Sequence, residues 1–167
     1  MCGIAGLIDF NNDLTKQECQ IKIMANALQH RGPDEQQEWV SEHVAFGHKR
    51  LIVVDPAGGK QPMHWLEEGN DYVLVYNGEL YNTEDIRKEL QTKGWTFHSH
   101  SDTEVLLKSY IEWKETCVDK FNGIFAFAVW DSNKEALFVA RDRLGLNRYF
   151  IQNKRVCFYS RLSSKHY

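Results

Sequence analysis

The chain has 167 residues, an apolar fraction of 43% and a formal net charge of −3. This length suits one domain with a substantial core, and so small a charge argues against nucleic acid or an anionic membrane surface as a partner. Because no apolar run is long enough to cross a membrane and no basic segment precedes a signal-peptide core, we expect a cytoplasmic protein with no membrane partner.

The hydrophobic pattern predicts strands and helices that come in blocks. Strands are predicted over Gly3–Phe10, Glu38–Val40, Val44–Lys49, Leu51–Asp55, Tyr72–Tyr76 and, as a meander, over Ile124–Trp130, Ala136–Arg141, Arg148–Gln152 and Val156–Ser160. Helices are predicted over Thr15–Gln29, from Asn82 or Thr83 to Lys93, and from Ser101 to about Lys120. A long surface loop is predicted over Pro56–Asp71. This order indicates an α+β protein with mostly antiparallel sheets and helices stacked outside them.

Two helices carry more detailed signals. In the first, Cys19, Ile23 and Ala27 recur at spacings of four, as do Met24 and Leu28, which predicts that these five residues lie along one face. In the last, Ser101 and Glu104 have the spacing of a capping box, in which Ser101 bonds the third helical amide and Glu104 reaches back.

The four cysteines lack the spacing of a metal site, so we expect free thiols and no bound metal. Cys19, Cys117 and Cys157 fall within predicted elements and are most simply small buried residues. Cys2 differs, because removal of Met1 would leave it at the N-terminus with both a thiol and a free α-amine of pKa about 7.7–8.0. Such a residue can attack a carbonyl without a separate base, although its position alone also fits an incidental residue at a frayed end.

Amide cleavage by Cys2 would need further groups, and the sequence offers candidates. Asn77 and Gly78 could donate hydrogen bonds to an oxyanion, and Arg50 could bind a carboxylate. Glu79 and Asp102 could bind an ammonium group. Each also has a simpler interpretation: Asn77-Gly78 as a turn, Arg50 as a solvated charge, and Asp102 as a favourable acid in the first turn of a helix.

Taken together and in order, six motifs resemble the class II glutamine amidotransferase domain of asparagine synthetases. They are Met1-Cys2-Gly3-Ile4-Ala5-Gly6, His30-Arg31-Gly32-Pro33-Asp34, Gly47-His48-Lys49-Arg50-Leu51, the run from Tyr76 to Asn82, the run from Ser101 to Leu107, and Ala140-Arg141-Asp142-Arg143. Related phosphoribosyl and amino-sugar amidotransferases usually carry His-Asn-Gly where this chain has Tyr-Asn-Gly-Glu.

The resemblance implies an N-terminal nucleophile hydrolase fold, a four-layer αββα sandwich of two antiparallel sheets. It implies that Cys2 is the nucleophile of glutamine hydrolysis and that Asn77 and Gly78 are the oxyanion donors. The α-carboxylate of glutamine would bind Arg50, its α-ammonium would bind Glu79 and Asp102, and backbone contacts would fall near Leu51 and Val53.

The resemblance covers about residues 1–160, which we expect to form the glutaminase domain, and residues 161–167 form a divergent tail. The pyrophosphate-type ATP loop of the synthetase domain has no counterpart here, so ATP and Mg would belong to a synthetase domain that this chain lacks. Ammonia would then be used by such a domain in cis or in trans, and a homodimer is possible. Two other functions remain open: the glutaminase of another class II amidotransferase, and a non-catalytic module that binds glutamine or scaffolds a complex.

Overall fold

Two antiparallel sheets form the framework of the protein. The computed structural model describes the backbone of residues 2–52, 58–145, 147–153 and 156–162, and the side chains of residues 2–52 and 58–145. The first sheet has the order β2-β3-β1-β9-β8 and consists of β1 (Gly3–Ile8), β2 (Glu35–Val40), β3 (Val44–Arg50), β8 (Asn147–Asn153) and β9 (Val156–Leu162). The second has the order β4-β5-β6-β7 and consists of β4 (Met63–Glu67), β5 (Asn70–Leu80), β6 (Gly123–Asp131) and β7 (Ala136–Arg141).

Helices cover the outer faces of both sheets. They are α1 (Glu18–Asn26), α2 (Thr83–Thr92) and α3 (Asp102–Trp113), with short 3-10 helices over Leu14–Gln17 and Lys114–Lys120. One buried cluster lies between α1 and the first sheet, a second between the two sheets, and a third between the second sheet and α3. The molecule is therefore the predicted four-layer αββα sandwich. No helix within the described residues is long and apolar enough to cross a membrane.

Successive side chains of β5 point alternately into two different buried clusters. Val73 and Val75 pack into the cluster between the sheets, whereas Leu74 and Tyr76 pack toward α3. The next strand, β6, is buried on both faces in the same way, which confirms the prediction made from its uninterrupted apolar run. Asn77, as the next odd-numbered residue of β5, follows Val75 on the face toward the first sheet.

The predicted face of the first helix is only partly correct, because Leu28 and Met24 pack against the first sheet and the other predicted residues do not. Ile21, Ala25 and Leu28 are the residues buried against the first sheet, whereas Ile23 is 69% exposed. Cys19 is also exposed, which corrects its prediction as a buried residue, while Cys117 is buried as predicted. The 3-10 geometry over Leu14–Gln17 precedes the α-helix, and in the sequence both possible faces carry apolar residues at helical spacing.

Two features of the β-structure also differ from their predictions. The predicted loop over Pro56–Asp71 contains β4, which forms a hairpin with β5 through the turn at Glu68 and Gly69, both of which have positive φ. The predicted meander divides between the sheets, because β6 pairs with β7 in the second sheet whereas β9 pairs with β1 in the first. Leu51 and Ile52 lie outside any strand, and the rest of that predicted strand lies outside the described residues.

The last helix begins at its predicted cap but without the predicted capping box. Ser101 Oγ accepts a hydrogen bond from the second helical amide, that of Thr103. Glu104 does not reach back to Ser101; its carboxylate accepts bonds from the amides of His98 and Ser99 and pairs with Lys108 at 2.6 Å. The α-helix ends at Trp113 rather than Lys120, since Lys114 has a φ of 51°.

Candidate functional site

A pocket of about 360 Å³ lies at the end of the sandwich where β1 begins and β3 and β5 end. This volume falls in the range of small-ligand pockets. Seven of the eight predicted site residues line it: Cys2, Arg50, Leu51, Asn77, Gly78, Glu79 and Asp102. The eighth, Val53, lies outside the described residues. The pocket thus brings together residues from both sheets and from α3.

Cys2 is partly buried at the start of β1 and is held by its neighbours. The antiparallel pairing of Gly3 with Lys49 places Cys2 at the same end of the strand pair as Arg50 and Leu51. Its Sγ accepts a hydrogen bond from the Leu51 amide at 3.4 Å and lies 3.7 Å from the Leu51 carbonyl oxygen. The sulfur is therefore tethered to the main chain at the pocket wall.

The loop over residues 30–34, which the sequence marked as a motif without a role, supports Cys2. Arg31, which is buried, donates from Nε to the Cys2 carbonyl oxygen at 2.9 Å. Gly32 packs directly on β3, where a Cβ would lie 2.3 Å from the Lys49 carbonyl oxygen, so only glycine fits. Asp34 accepts from the Ile52 amide at 2.8 Å. These contacts fix the segment that carries Cys2 against the segment that carries Leu51.

Arg50 places a buried positive charge in the pocket wall. Its residue is 4% exposed, and its Nη1 forms an ion pair with Glu35 Oε2 at 3.0 Å. Because a buried guanidinium is costly unless carboxylates surround it, a bound carboxylate would be favourable here. The alternative of a solvated charge is wrong for Arg50.

Asn77 and Gly78 lie within β5, which continues to Leu80 rather than turning at this point. Asn77 is 1% exposed. At Gly78 a Cβ would lie 2.3 Å from the Ile124 carbonyl oxygen and 2.6 Å from the Phe125 Cα, so the glycine allows β5 and β6 to approach closely. The turn interpretation of Asn77-Gly78 is therefore wrong.

Asp102 and Glu79 place negative charge on the other side of the pocket. Asp102 is half-buried at the start of α3, and its Oδ2 accepts from the Tyr76 hydroxyl at 2.7 Å and from the Leu80 amide at 3.3 Å. Burial raises the pKa of Asp102 above its usual value, although these hydrogen bonds oppose the shift. Glu79 is exposed at the mouth of the pocket.

The pocket lining also contains residues that the sequence did not predict to belong to the site: Gln61, Tyr76, Thr83, Glu84 and His100. Gln61 is 5% exposed and connects β5 to α3, because its Oε1 accepts from the Tyr76 amide and its Nε2 lies 3.5 Å from Thr103 Oγ1. Tyr76 could have been noticed from its position beside Asn77; Gln61 follows a glycine-rich stretch that carried no such signal.

The pocket therefore combines a thiol, a buried guanidinium and a pair of carboxylates, which is an arrangement suited to a small zwitterion held beside the thiol. Among the described residues, no three His, Cys, Asp or Glu side chains are grouped so that they could hold a metal ion.

The chain is similar to known proteins in both sequence and fold. The family model described as "Glutamine amidotransferase domain" matches residues 1–164. The chain is 56% identical over 150 residues to asparagine synthetase (glutamine-hydrolyzing) 3 of Bacillus subtilis, an alignment that covers 90% of this chain and 24% of that protein. It is 40% identical over 168 residues to asparagine synthetase (glutamine-hydrolyzing) 1 of the same organism, covering 98% of this chain and 26% of that protein. The chain thus spans about a quarter of the length of these curated relatives.

A solved structure supports the fold. The glutamine phosphoribosylpyrophosphate amidotransferase of B. subtilis superposes with a TM-score of 0.72 at 20% identity, covering 95% of this chain and 41% of that one. The predicted N-terminal nucleophile hydrolase fold and the predicted family are both confirmed. Since the family model matches nearly the whole sequence, the chain belongs to the glutamine amidotransferase domain family.

Proposed function

We propose that this chain is the glutaminase unit of an asparagine synthetase-like enzyme and that it hydrolyses glutamine to glutamate and ammonia through a thioester on Cys2. The observation that carries the proposal is the convergence in one pocket of the Cys2 thiol, the buried Arg50 guanidinium and the Asp102 carboxylate. Glutamine matches all three, since it has a carboxamide carbon for the thiol, a carboxylate for the cation and an ammonium group for the anion.

In this proposal the α-groups of glutamine select the substrate. Arg50 binds the α-carboxylate, Glu79 and Asp102 bind the α-ammonium, and the main chain near Leu51 and Val53 completes the contacts. Arg50 and Asp102 support these roles because both are at least half-buried. A simple amide offers neither a carboxylate for Arg50 nor an ammonium for Asp102 and would be rejected for that reason.

The chemical step needs only groups at the nucleophile and the oxyanion. With Met1 removed, the α-amine of Cys2 takes the thiol proton, and the sulfur forms a bond to the carboxamide carbon. The Asn77 side-chain amide and the Gly78 N–H stabilise the oxyanion. Breakage of the C–N bond releases ammonia, which receives its proton from the same amine, and water then hydrolyses the γ-glutamyl thioester to glutamate and the free thiol.

The ammonia is passed to a synthetase domain, in cis or in trans, for amidation of aspartate, and this occurs in the cytoplasm. The relatives support this, because they are named glutamine-hydrolyzing asparagine synthetases and are about four times as long as the matched region. ATP and Mg would be bound by that domain rather than by residues of this pocket. Within this arrangement residues 1–160 are the glutaminase domain, residues 161–167 are a divergent tail, and a homodimer is compatible with the family.

The nucleophile is tested by measuring glutamate release with Cys2→Ala and with Cys19→Ala as a matched control. Cys2→Ala should lower kcat by roughly 10³-fold or more, because no other group in the mechanism forms the thioester. Cys19 is an exposed thiol on α1 outside the pocket, so Cys19→Ala should behave as wild type. Glutamate release by Cys2→Ala at the wild-type rate would contradict the proposed function.

A further inference from the structure

Tyr76 connects the two halves of the pocket through its side chain. It lies on the face of β5 that packs toward α3, it is 2% exposed, and its hydroxyl donates to Asp102 Oδ2 at 2.7 Å. The pKa of Tyr76 is raised well above its usual value by burial and by the Asp102 charge, so its proton stays on the phenol. Tyr76 is thus the donor and the Asp102 carboxylate is the acceptor.

The main chain of Tyr76 is held at the same time. Its amide donates to Gln61 Oε1, and the imidazole of His48, on β3 of the first sheet, hydrogen-bonds its main chain. The next two residues along β5 are Asn77 and Gly78, the proposed oxyanion donors. A single residue therefore contacts the first sheet, precedes the oxyanion donors and holds the carboxylate at the start of α3.

We propose that Tyr76 is a positioning residue for glutamine hydrolysis: its hydroxyl orients the Asp102 carboxylate toward the α-ammonium of glutamine and so determines the preference for α-amino acid amides. This inference rests on the proposed function and deepens it, since it assigns a role to a residue that touches Asp102 rather than the reacting atoms.

The charge balance of the pocket explains why this bond matters. Burial favours the neutral form of Asp102, and the hydrogen bonds from Tyr76 and from the amides of Leu80 and Thr103 oppose it. Other charged or titratable groups in the pocket lining are Cys2, Arg50, Glu79, Glu84 and His100. Loss of the Tyr76 hydroxyl leaves a buried carboxylate with fewer donors, so that it protonates at a higher pH and is free to turn away from the ammonium.

The test compares Tyr76→Phe with Tyr72→Phe. Tyr72 lies on the same face of β5, is 7% exposed, and has its hydroxyl 3.1 Å from Lys114 Nζ, away from the pocket lining. Tyr76→Phe should raise the KM for glutamine about tenfold with kcat little changed, which is the size expected when a charged group loses one hydrogen bond. Tyr72→Phe should leave both constants as in wild type.

Two measurements distinguish a role of Tyr76 in positioning Asp102 from a general disturbance of the structure. The first is 4-carbamoylbutanoate, which is glutamine without its ammonium: the preference for glutamine over it should fall about tenfold in Tyr76→Phe, because only glutamine uses Asp102. The second is the pH profile of kcat/KM, whose acid limb should move to higher pH in Tyr76→Phe. In an Asp102→Asn background, Tyr76→Phe should change KM by less than about twofold.

Either an unchanged substrate preference or an equal effect of Tyr72→Phe overturns the role of Tyr76 while leaving the glutaminase proposal intact. Wild-type protein that neither hydrolyses glutamine nor binds it in calorimetry overturns the proposed function, and this inference with it. A Tyr76→Phe protein whose KM, preference and acid limb all move together supports the inference.

Discussion

His48 is a buried histidine that joins the two sheets. It is 1% exposed on β3, it hydrogen-bonds the main chain of Tyr76 on β5, and its Nε2 has no hydrogen-bond partner within the described part of the chain. Burial lowers its pKa from 6.5 to about 3, with a smaller contribution from Arg50 and partial opposition from the Tyr76 bond. His48 is therefore neutral at pH 7, and its charged form is incompatible with the folded interior.

This histidine should make folding stability depend on pH. Between the folded pKa of about 3 and the unfolded pKa of 6.5 the unfolded chain binds the extra proton, so the stability is fully present above 6.5 and is lost as pH falls. Urea unfolding should show a loss of roughly 1 to 2 kcal/mol between pH 6.5 and 5. His48→Asn should remove this loss, whereas the same change at the exposed His30 should keep it. An identical pH slope in His48→Asn and His30→Asn would show that His48 is not the group responsible.

At the level of single residues, the sequence predicted which chemical groups line the pocket better than it predicted which residues those groups contact. Cys2, Arg50 and Asp102 were found because a thiol, a guanidinium and a carboxylate are each required by the chemistry, and the pocket contains all three. The bond from Tyr76 to Asp102 and the pair of Arg50 with Glu35 were not found. Both join residues on different elements, and no local pattern specifies which elements meet.

At the level of elements, the pairing of β5 with β6 is set by glycine at the site itself. Gly78 is paired with Phe125 and Leu80 with Gly123. A Cβ at Gly78 would meet backbone atoms of Ile124 and Phe125, and one at Gly123 would lie 2.2 Å from the Glu79 carbonyl oxygen. Two glycines on facing strands thus bring the strands together where Asn77 and Glu79 enter the pocket.

Gly78→Ala should therefore be strongly destabilising. The two shortest contacts that its methyl group would make are with backbone, which cannot move aside as a flexible side chain could. We therefore expect a loss of at least about 3 kcal/mol in urea unfolding. Gly69→Ala is the control: Gly69 has a φ of +79° but nothing within 4 Å of its added Cβ, so it should cost only about 1 kcal/mol. Equal losses in the two variants would contradict the close approach of β5 and β6.

Helix boundaries and faces were the least predictable elements. On α1, apolar residues at helical spacing occur on two faces. Packing against Gly47 of the first sheet determines that Ile21 and Ala25 are the buried ones. The predicted capping box failed because Glu104 has stronger partners, in Lys108 and in the amides of the preceding loop. In each case a tertiary contact replaced a local rule.

At the level of the whole molecule, the pocket lies where three of the four layers meet, namely the two sheets and the helix layer over the second sheet. Cys2 and Arg50 come from the first sheet, Asn77 and Gly78 from the second, and Asp102 from the helix layer above it. The layered architecture could be predicted, since β6 is apolar on both faces and strands and helices come in blocks. The return of β9 to pair with β1 could not, because those residues are about 150 positions apart in sequence and nothing local relates them.

We expect glutamine hydrolysis to depend above all on Cys2 as a processed nucleophile in a glutamine-shaped pocket. The measurement that tests this is the intact mass of the purified chain before and after incubation with diazo-oxo-norleucine, a glutamine analogue that alkylates thiols with loss of dinitrogen. We predict a mass that lacks one methionine and then a single adduct, mapped to Cys2 and prevented by excess glutamine. A retained Met1, or a folded protein that takes up no adduct at Cys2, would contradict the account.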